Sequence, residues 1–387
     1  MAKKQISPTE ILIVAGEHSG DLLGAELVKE LLKKQSALHF FGVGGSEMTA
    51  LGVESYADME QMTVIGFSGI LSKYGYLKNL LHRLVTECET RNAKTAILID
   101  YPGFNLRLAR ELHAKGIRTI FYVSPQIWAW KFKRIFTIKK YIDLMLVLFR
   151  FEEKLYHDYQ VNAVFVGHPV MYRIQQSIKT ETRLKKSGDI TITLMPGSRS
   201  GEIKKHLPDM LLAAQKIRQE LGKNIRFLIP NINRKEQEYI QTSIKEFNQK
   251  HLLQLQYCFH CSLNAVSQSD LVILSSGTAT LEVTYFEKPM IIIYKISNLT
   301  YILGKLLVKT KFIGLVNILA GKGVCREFIQ KDCTPENISN EALQILTNTN
   351  YRKSMVDSIK KVKQGLSKGK NPAVIAAGEI KALLDKR

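Results

Sequence analysis

Asp100 closes an apolar run, Thr95–Ile99, and opens the hexapeptide DYPGFN at 100–105. A carboxylate at the carboxyl edge of a parallel sheet is placed to take a proton from a hydroxyl nucleophile. The same residue type serves as a helix N-cap, so this reading has a plain structural alternative. Arg199 stands in LMPGSRSGEIKKHLP, residues 194–208. Gly197 permits a tight turn after an apolar run, which leaves Ser198 and Arg199 at the edge. A guanidinium there can grip phosphate oxygens in pairs and neutralise a departing diphosphate. In SSGTATLE, residues 275–282, the small residues Ser275, Ser276, Gly277 and Thr278 precede a helix. Free N–H groups at such a start cradle phosphate. Glu282, one turn later, can accept hydrogen bonds from ribose hydroxyls. No Gly-Lys-Ser/Thr follows, so ATP hydrolysis is not indicated.

AGEHSGDLLG, residues 15–24, is less specific. Gly16, Gly20 and Gly24 allow close approach of backbone to a ligand, but their spacing is not the dinucleotide fingerprint. An ordinary turn capped by Ser19 or Asp21 explains the stretch equally well. Glu17 puts a negative charge there, which favours a hydroxyl-rich ligand or a phosphate placed further along. YVSPQIWAWK, residues 122–131, holds both tryptophans. They suit a sugar face, a membrane interface or a core anchor. MTVIGFSGILSKYGYLKNLLHRL, residues 62–84, mixes apolar residues with cations. Ile65, Phe67, Ile70, Leu71, Leu77 and Leu80 are expected to dip into an anionic bilayer; a core helix with a basic outer face is the alternative. No Asp-x-Asp and no His-Glu-x-x-His occurs. Cys258-Phe-His-Cys261 has half the ligands of a metal site and no second pair, so it reads as structural and no metal is expected.

The elements that must position these residues alternate along the chain. Apolar runs read as strands at Ile11–Ala15, His39–Val43, Thr95–Ile99, Thr119–Val123, Leu144–Leu148 and Ala163–Val166. Helical patterns separate several of them, notably Asp21–Lys34 and Leu106–Lys115. After a polar, basic stretch at Met171–Ser187 the rhythm resumes. Ile190–Met195, Arg226–Pro230, Leu253–Tyr257, Leu271–Leu274 and Pro289–Tyr294 are strands, with a helix over Leu207–Leu221. This order predicts an α/β chain with two doubly wound, Rossmann-like domains facing an interdomain cleft. The expected boundaries are 1–175, 176–360 and a helical tail, 361–387, packing back on the first domain.

The chain has 387 residues, enough for two cores, with 45% apolar and 23% charged residues. This excludes long disorder. Fifty-five Lys and Arg against 35 Asp and Glu leave a formal charge of +20. Such a surplus implies a polyanionic partner: nucleic acid, anionic lipid or phosphorylated substrate; a basic but passive surface is the alternative. No aromatic–basic module of the known RNA or DNA binders is present, so nucleic acid is not expected. Five scattered cysteines do not form a disulfide framework and fit a reducing compartment. The start, MAKKQISPTE, is polar, and the greasy stretch at 302–320 is broken by Lys305, Lys309 and Lys311. A cytoplasmic protein touching a membrane only at its surface is expected.

Taken together, the motifs resemble those of the lipid-A-disaccharide synthase family. The matching blocks are AGEHSGDLLGA, FGVGG, DYPGFN, YVSPQIWAW, VGHPV, PGSRSGEI, SSGTATLE, NILAG and EFIQKDCTPENI, in order from 15 to about 338. The resemblance implies the GT-B architecture of glycosyltransferases and an inverting, metal-independent reaction with no cofactor. A 2,3-diacylglucosamine would pass from UDP to the 6-hydroxyl of 2,3-diacylglucosamine 1-phosphate, giving the β-1,6 disaccharide of lipid A and UDP. On this reading Asp100 is the base, assisted by Glu17. Ser198, Arg199, Ser276, Gly277, Thr278, Glu282 and Asn317 hold the UDP donor; Gly16, Ser19 and Gly20 hold the acceptor. The first domain would take the lipid acceptor and the second the UDP-sugar, on the inner face of a bacterial inner membrane, as a monomer or a homodimer. His18 stands where the family commonly has a small residue, and Gly103 where it commonly has an acidic one. A UDP-sugar 2-epimerase on the same architecture is the rival enzyme.

Overall fold

The computed structural model describes residues 9–62, 67–178, 190–222, 224–251, 253–297, 301 and 310–385. The chain divides into two compact units, Met1–Pro169 with Leu366–Arg387, and Val170–Gly365. The position 175 expected as a boundary falls inside a helix of the second unit, Pro169–Ile178. The polar, basic stretch Met171–Ser187 lies partly outside the described residues.

In unit 1 the strands are β1 (Thr9–Ala15), β2 (Leu38–Val43), β3 (Glu54–Ser55), β4 (Thr95–Ile99), β5 (Arg118–Tyr122), β6 (Leu144–Val147) and β7 (Ala163–Phe165). Its helices are α1 (His18–Lys34), α2 (Ser46–Thr49), α3 (Met59–Met62), α4 (Phe67–Thr90), α5 (Pro102–Ala114), α6 (Arg134–Tyr141) and α7 (Arg150–Asp158). All strand pairs are parallel, in the order β3-β2-β1-β4-β5-β6-β7. Ile11 to Ala15 and Ala96 to Ile99 are fully buried. A parallel strand covered on both faces needs apolar residues at every position, which is why these segments read as unbroken runs. The order reverses between β1 and β4, so the loops after these two strands splay apart and open a crevice at the switch point.

Unit 2 opens with α8 (Pro169–Ile178) and repeats the plan. Its strands are β8 (Ile190–Met195), β9 (Ile225–Asn231), β10 (Gln254–Phe259), β11 (Leu271–Ser275), β12 (Met290–Tyr294) and β13 (Glu327–Ile329). The parallel order β10-β9-β8-β11-β12-β13 puts the switch between β8 and β11. The helices are α9 (Ser200–Leu221), α10 (Gln237–His251), α11 (Ser262–Gln268), α12 (Ala279–Tyr285), α13 (Leu315–Ala320), α14 (Pro335–Thr347) and α15 (Thr349–Gln364). α16 (Pro372–Asp385) belongs to unit 1 and packs on α1. Arg118 donates to the Leu383 carbonyl at 2.6 Å, tying this last helix to β5.

Candidate functional site

Each switch point carries two of the sequence motifs. In unit 1 AGEHSG follows β1 and DYPGFN follows β4. Asp100 and Tyr101 both adopt left-handed backbone, φ +48 and +46. Such geometry costs roughly 1–3 kcal/mol per residue and persists where neighbours enforce it. Asn105 supplies that enforcement: its side-chain amide donates to the carbonyls of Ile99, 3.2 Å, and Asp100, 2.8 Å. Tyr101, not Asp100, is the N-cap of α5, and no side chain caps that helix. The Asp100 carboxylate is thus left for other use. Burial, and then the charge of Glu17, push its pKa above the ordinary carboxylate range.

Gly16 is buried beneath the Tyr101 ring, where a Cβ would come within 2.4 Å of the ring. The Tyr101 hydroxyl donates to the Met62 carbonyl at 2.8 Å. Gly20 is also buried, against Ala15. Packing therefore accounts for both glycines, and only their backbone is left to meet an acceptor. Glu17, His18 and Ser19 are exposed. Asp21 does not cap its own helix. Its carboxylate takes the N–H groups of Gly45, Glu47 and Met48, at 2.8 to 3.1 Å, and so fixes the FGVGG turn. His18, Asp21, Ser46, Ser55 and Asp58 line a cavity of about 540 Å³. Gly103 is exposed with nothing near its absent Cβ.

In unit 2 PGSRS follows β8 and SSGT follows β11, and they share one cavity of about 310 Å³. Ser198, Arg199, Ser276, Gly277, Thr278 and Glu282 all line it. Gly197, at φ +122, cannot be replaced without a Cβ lying 2.6 Å from Glu202 Oε2. Arg199 is held by Glu202 at 3.0 Å while its side chain stays 80% exposed. The Glu282 carboxyl has no hydrogen-bond partner among the described residues, and burial pushes its pKa up to about 7. Ser275, which the sequence reading placed only in the run before the helix, lines the cavity with a buried hydroxyl that has no partner among the described residues.

Two donor assignments change. Ser276 donates its hydroxyl to the Ile313 carbonyl, 2.9 Å, and its N–H to the Ile293 carbonyl, 3.1 Å. It shapes the cavity wall and has no donor left for phosphate. Asn317 is fully buried, and its amide is saturated. It donates to the Cys325 carbonyl and Glu327 and accepts from the N–H groups of Val324 and Cys325. Its amide keeps no hydrogen bond free for a donor. A residue the sequence reading missed, His206, has a structural role beside this cavity. It is buried, and its Nε2 accepts the Lys295 N–H at 2.8 Å, so the ring proton lies on Nδ1, 2.8 Å from the Pro196 carbonyl. The PGSRS turn is thereby fastened to the end of β12. Its signal, one histidine in an amphipathic helix, is indistinguishable in sequence from a surface histidine.

The membrane expectation is also revised. Ile65 lies outside the described residues, as do the side chains of Phe67, Ile70 and Leu71. Leu80 is 5% exposed within the unit 1 core, which takes it from the surface, whereas Leu77 is partly buried against that core. The tryptophans separate: Trp128 donates to the buried Glu152 at 3.0 Å, whereas Trp130 is exposed, as is Phe136 on α6. No helix of the described residues is long and apolar enough to cross a membrane. The cysteines, expected to form no disulfide framework, make a single bond, between Cys258 and Cys261.

Residues 11–379 match the family model for lipid-A-disaccharide synthetase. Lipid-A-disaccharide synthase of Syntrophus aciditrophicus is 38% identical over 92% of this chain and 93% of its own. That of Coxiella burnetii strain CbuK_Q154 is 36% identical over 94% and 96%. Lipid-A-disaccharide synthase 1 of Legionella pneumophila strain Philadelphia 1 is 38% identical over 93% and 94%. Among solved structures, the glycotransferase of kitacinnamycin superposes with TM-score 0.61 at 12% identity, over 97% of this chain and 99% of that one. UDP-GlcNAc 2-epimerase from Neisseria meningitidis bound to UDP-GlcNAc gives 0.56 at 12%, over 98% and 100%. At such identities these two speak for the GT-B fold alone. With sequence similarity running nearly end to end, the chain belongs to the lipid-A-disaccharide synthase family.

Proposed function

We propose that this glycosyltransferase passes 2,3-diacylglucosamine from UDP to the 6-hydroxyl of 2,3-diacylglucosamine 1-phosphate. The observation that carries the donor half is the unit 2 cavity. It gathers an exposed guanidinium, an unpartnered carboxyl and an orphaned buried hydroxyl at a switch point. Arg199 takes the diphosphate, with the N–H groups of Gly277 and Thr278 beside it, and Ser275 and Glu282 take hydroxyls of the nucleoside. Asp100, made more basic by burial and by Glu17, removes the acceptor proton as its hydroxyl attacks the anomeric carbon with inversion. Charge on departing UDP is met by Arg199 and backbone dipoles, in keeping with the absence of Asp-x-Asp.

Acylated substrates live in a bilayer. We place the enzyme on the anionic inner face of the inner membrane, resting on α6. There Lys131 and Arg134 lie 4.5 and 5.4 Å from the exposed Trp130 ring, and Lys133, Phe136, Lys139 and Lys140 of the same stretch of chain are exposed.

The test is UDP release from UDP-diacylglucosamine, with and without acceptor, in detergent and EDTA. Acceptor-dependent release that survives EDTA is expected. Release without acceptor, or conversion of UDP-N-acetylglucosamine alone, would move the chain to the epimerases.

A further inference from the structure

CFHC found no place in the transfer reaction. Cys258 and Cys261 are joined, with Cα atoms 5.9 Å apart, and both are half-buried. The other three cysteines, Cys88, Cys325 and Cys333, are buried and unpaired. Burial raises each of their thiol pKa values, so they are poor nucleophiles.

The bonded pair sits on the frame of the unit 2 cavity. Cys258 lies opposite Pro230 in the β9–β10 ladder, and Pro230 lines the cavity. Cys261 is the residue before α11, whose first residue, Ser262, also lines it. Between the cysteines His260 turns at φ +54 and donates its N–H to the Asn231 carbonyl at 2.9 Å. Asn231, 2% exposed, exchanges two 2.8 Å hydrogen bonds with the Asn233 backbone. Asn233 then donates to the Ser198 carbonyl at 2.9 Å. An unbroken run of hydrogen bonds therefore joins the cysteine turn to the PGSRS loop.

We propose that Cys258 and Cys261 form a reversible thiol–disulfide exchange site, taking small disulfides of the glutathione class, whose state sets donor affinity. The proposal rests on reading this cavity as the UDP site. In oxidation one cysteine thiolate attacks a sulfur of the small disulfide. A mixed disulfide forms and one small thiol leaves. The second cysteine thiolate then displaces the other small thiol. Two protein thiols become one disulfide with loss of two protons, and the oxidant becomes two thiols. Closed, the bond fixes the His260 turn and thus Asn231, Asn233 and Ser198. Opened, it releases the turn and loosens the loop that carries Arg199.

The full-length chain is equilibrated in reduced and oxidised glutathione at several ratios with EDTA present. Alkylation and mass spectrometry report the state of each cysteine, and calorimetry reports UDP affinity. The pair is expected to interconvert within the glutathione range while Cys88, Cys325 and Cys333 stay reduced. UDP should bind about fivefold more weakly to the dithiol form, a coupling at the low end of those between linked sites. The double variant Cys258→Ser, Cys261→Ser should keep the weaker affinity in every buffer. Equal UDP affinity in both wild-type states overturns the inference, as does a pair that never exchanges with glutathione. Absence of UDP binding in either state overturns the donor reading itself, and the inference with it.

Discussion

The Asn317 amide donates to Glu327 Oε1 at 2.7 Å, and that carboxylate also accepts the N–H groups of Ile313 and Gly314. The Ile313 carbonyl in turn receives the Ser276 hydroxyl. NILAG therefore acts on the donor cavity at one remove, by holding the segment against which SSGT is braced. Asn317→Ala strands the N–H groups of Val324 and Cys325 and takes one donor each from the Cys325 carbonyl and Glu327, which costs about 2–4 kcal/mol. Urea unfolding should show that loss. A variant that kept full stability and lost only UDP affinity would return Asn317 to the ligand.

His206 is neutral by design of its surroundings. Burial lowers its pKa, outweighing the nearby Glu202 and Asp209 carboxylates, and protonated Nε2 could no longer accept from Lys295. Its folded pKa lies below the unfolded value, about 6.5. The stability it contributes is therefore present above that value and is lost as pH falls through the folded one. His206→Gln should cost about 1–2 kcal/mol at pH 8. The gap between variant and wild type in urea should narrow as pH drops below about 6.5. A gap constant with pH would mean that the ring does not titrate in this range.

Much of this arrangement was legible because the chemistry is local. Ser198, Arg199, Gly277, Thr278 and Glu282 each follow a buried strand by a few residues, and sheet order alone then brings them to one cavity. Strands such as Ile11–Ala15 announce themselves because both faces are covered. What could not be read is tertiary pairing. Asp21, Asn105, His206 and Asn317 look in sequence like caps or surface polar residues. Their partners lie at Gly45, Ile99, Lys295 and Glu327, and nothing local marks those pairs. The short edge strands β3 and β13 were missed because two or three residues carry no period.

Glu282 gives a pH signature to donor binding. With its pKa pushed up to about 7 by burial, the carboxyl is partly protonated in the empty cavity near neutrality. Ribose hydroxyls donate more strongly to the carboxylate than to the acid. UDP affinity should therefore rise with pH through about 7, with proton release on binding. Glu282→Gln should weaken UDP about tenfold, the equivalent of one charge-assisted hydrogen bond, and flatten the profile. Calorimetry in two buffers of different ionisation heat measures both. An unchanged profile in the variant would remove Glu282 from the nucleoside.

Trp130, 38% exposed, and Phe136, 61% exposed, test the membrane placement. Replacing both by Ser removes two large apolar side chains worth roughly 1.5–3 kcal/mol each on full burial. Binding to vesicles with anionic lipid should fall about tenfold or more, with UDP affinity in detergent unchanged. Retained vesicle binding would move the contact elsewhere on unit 1.

Asp100 and Glu17 can be separated by kinetics. Asp100→Asn keeps the shape of the turn and the Asn105 hydrogen bonds, which reach backbone carbonyls only. Stability and UDP affinity should therefore hold while turnover falls by about 10²–10⁴-fold, the range for loss of a general base. Glu17→Gln leaves the base in place and removes one of the two influences that raise its pKa. The acid limb of kcat/KM should then shift to lower pH. The shift should be modest, because burial is the larger influence and Glu17 is exposed. A limb that stays put in Glu17→Gln, together with substantial turnover in Asp100→Asn, would mean that another group takes the proton. The αL turn at Asp100–Tyr101 would then serve only to shape the end of β4.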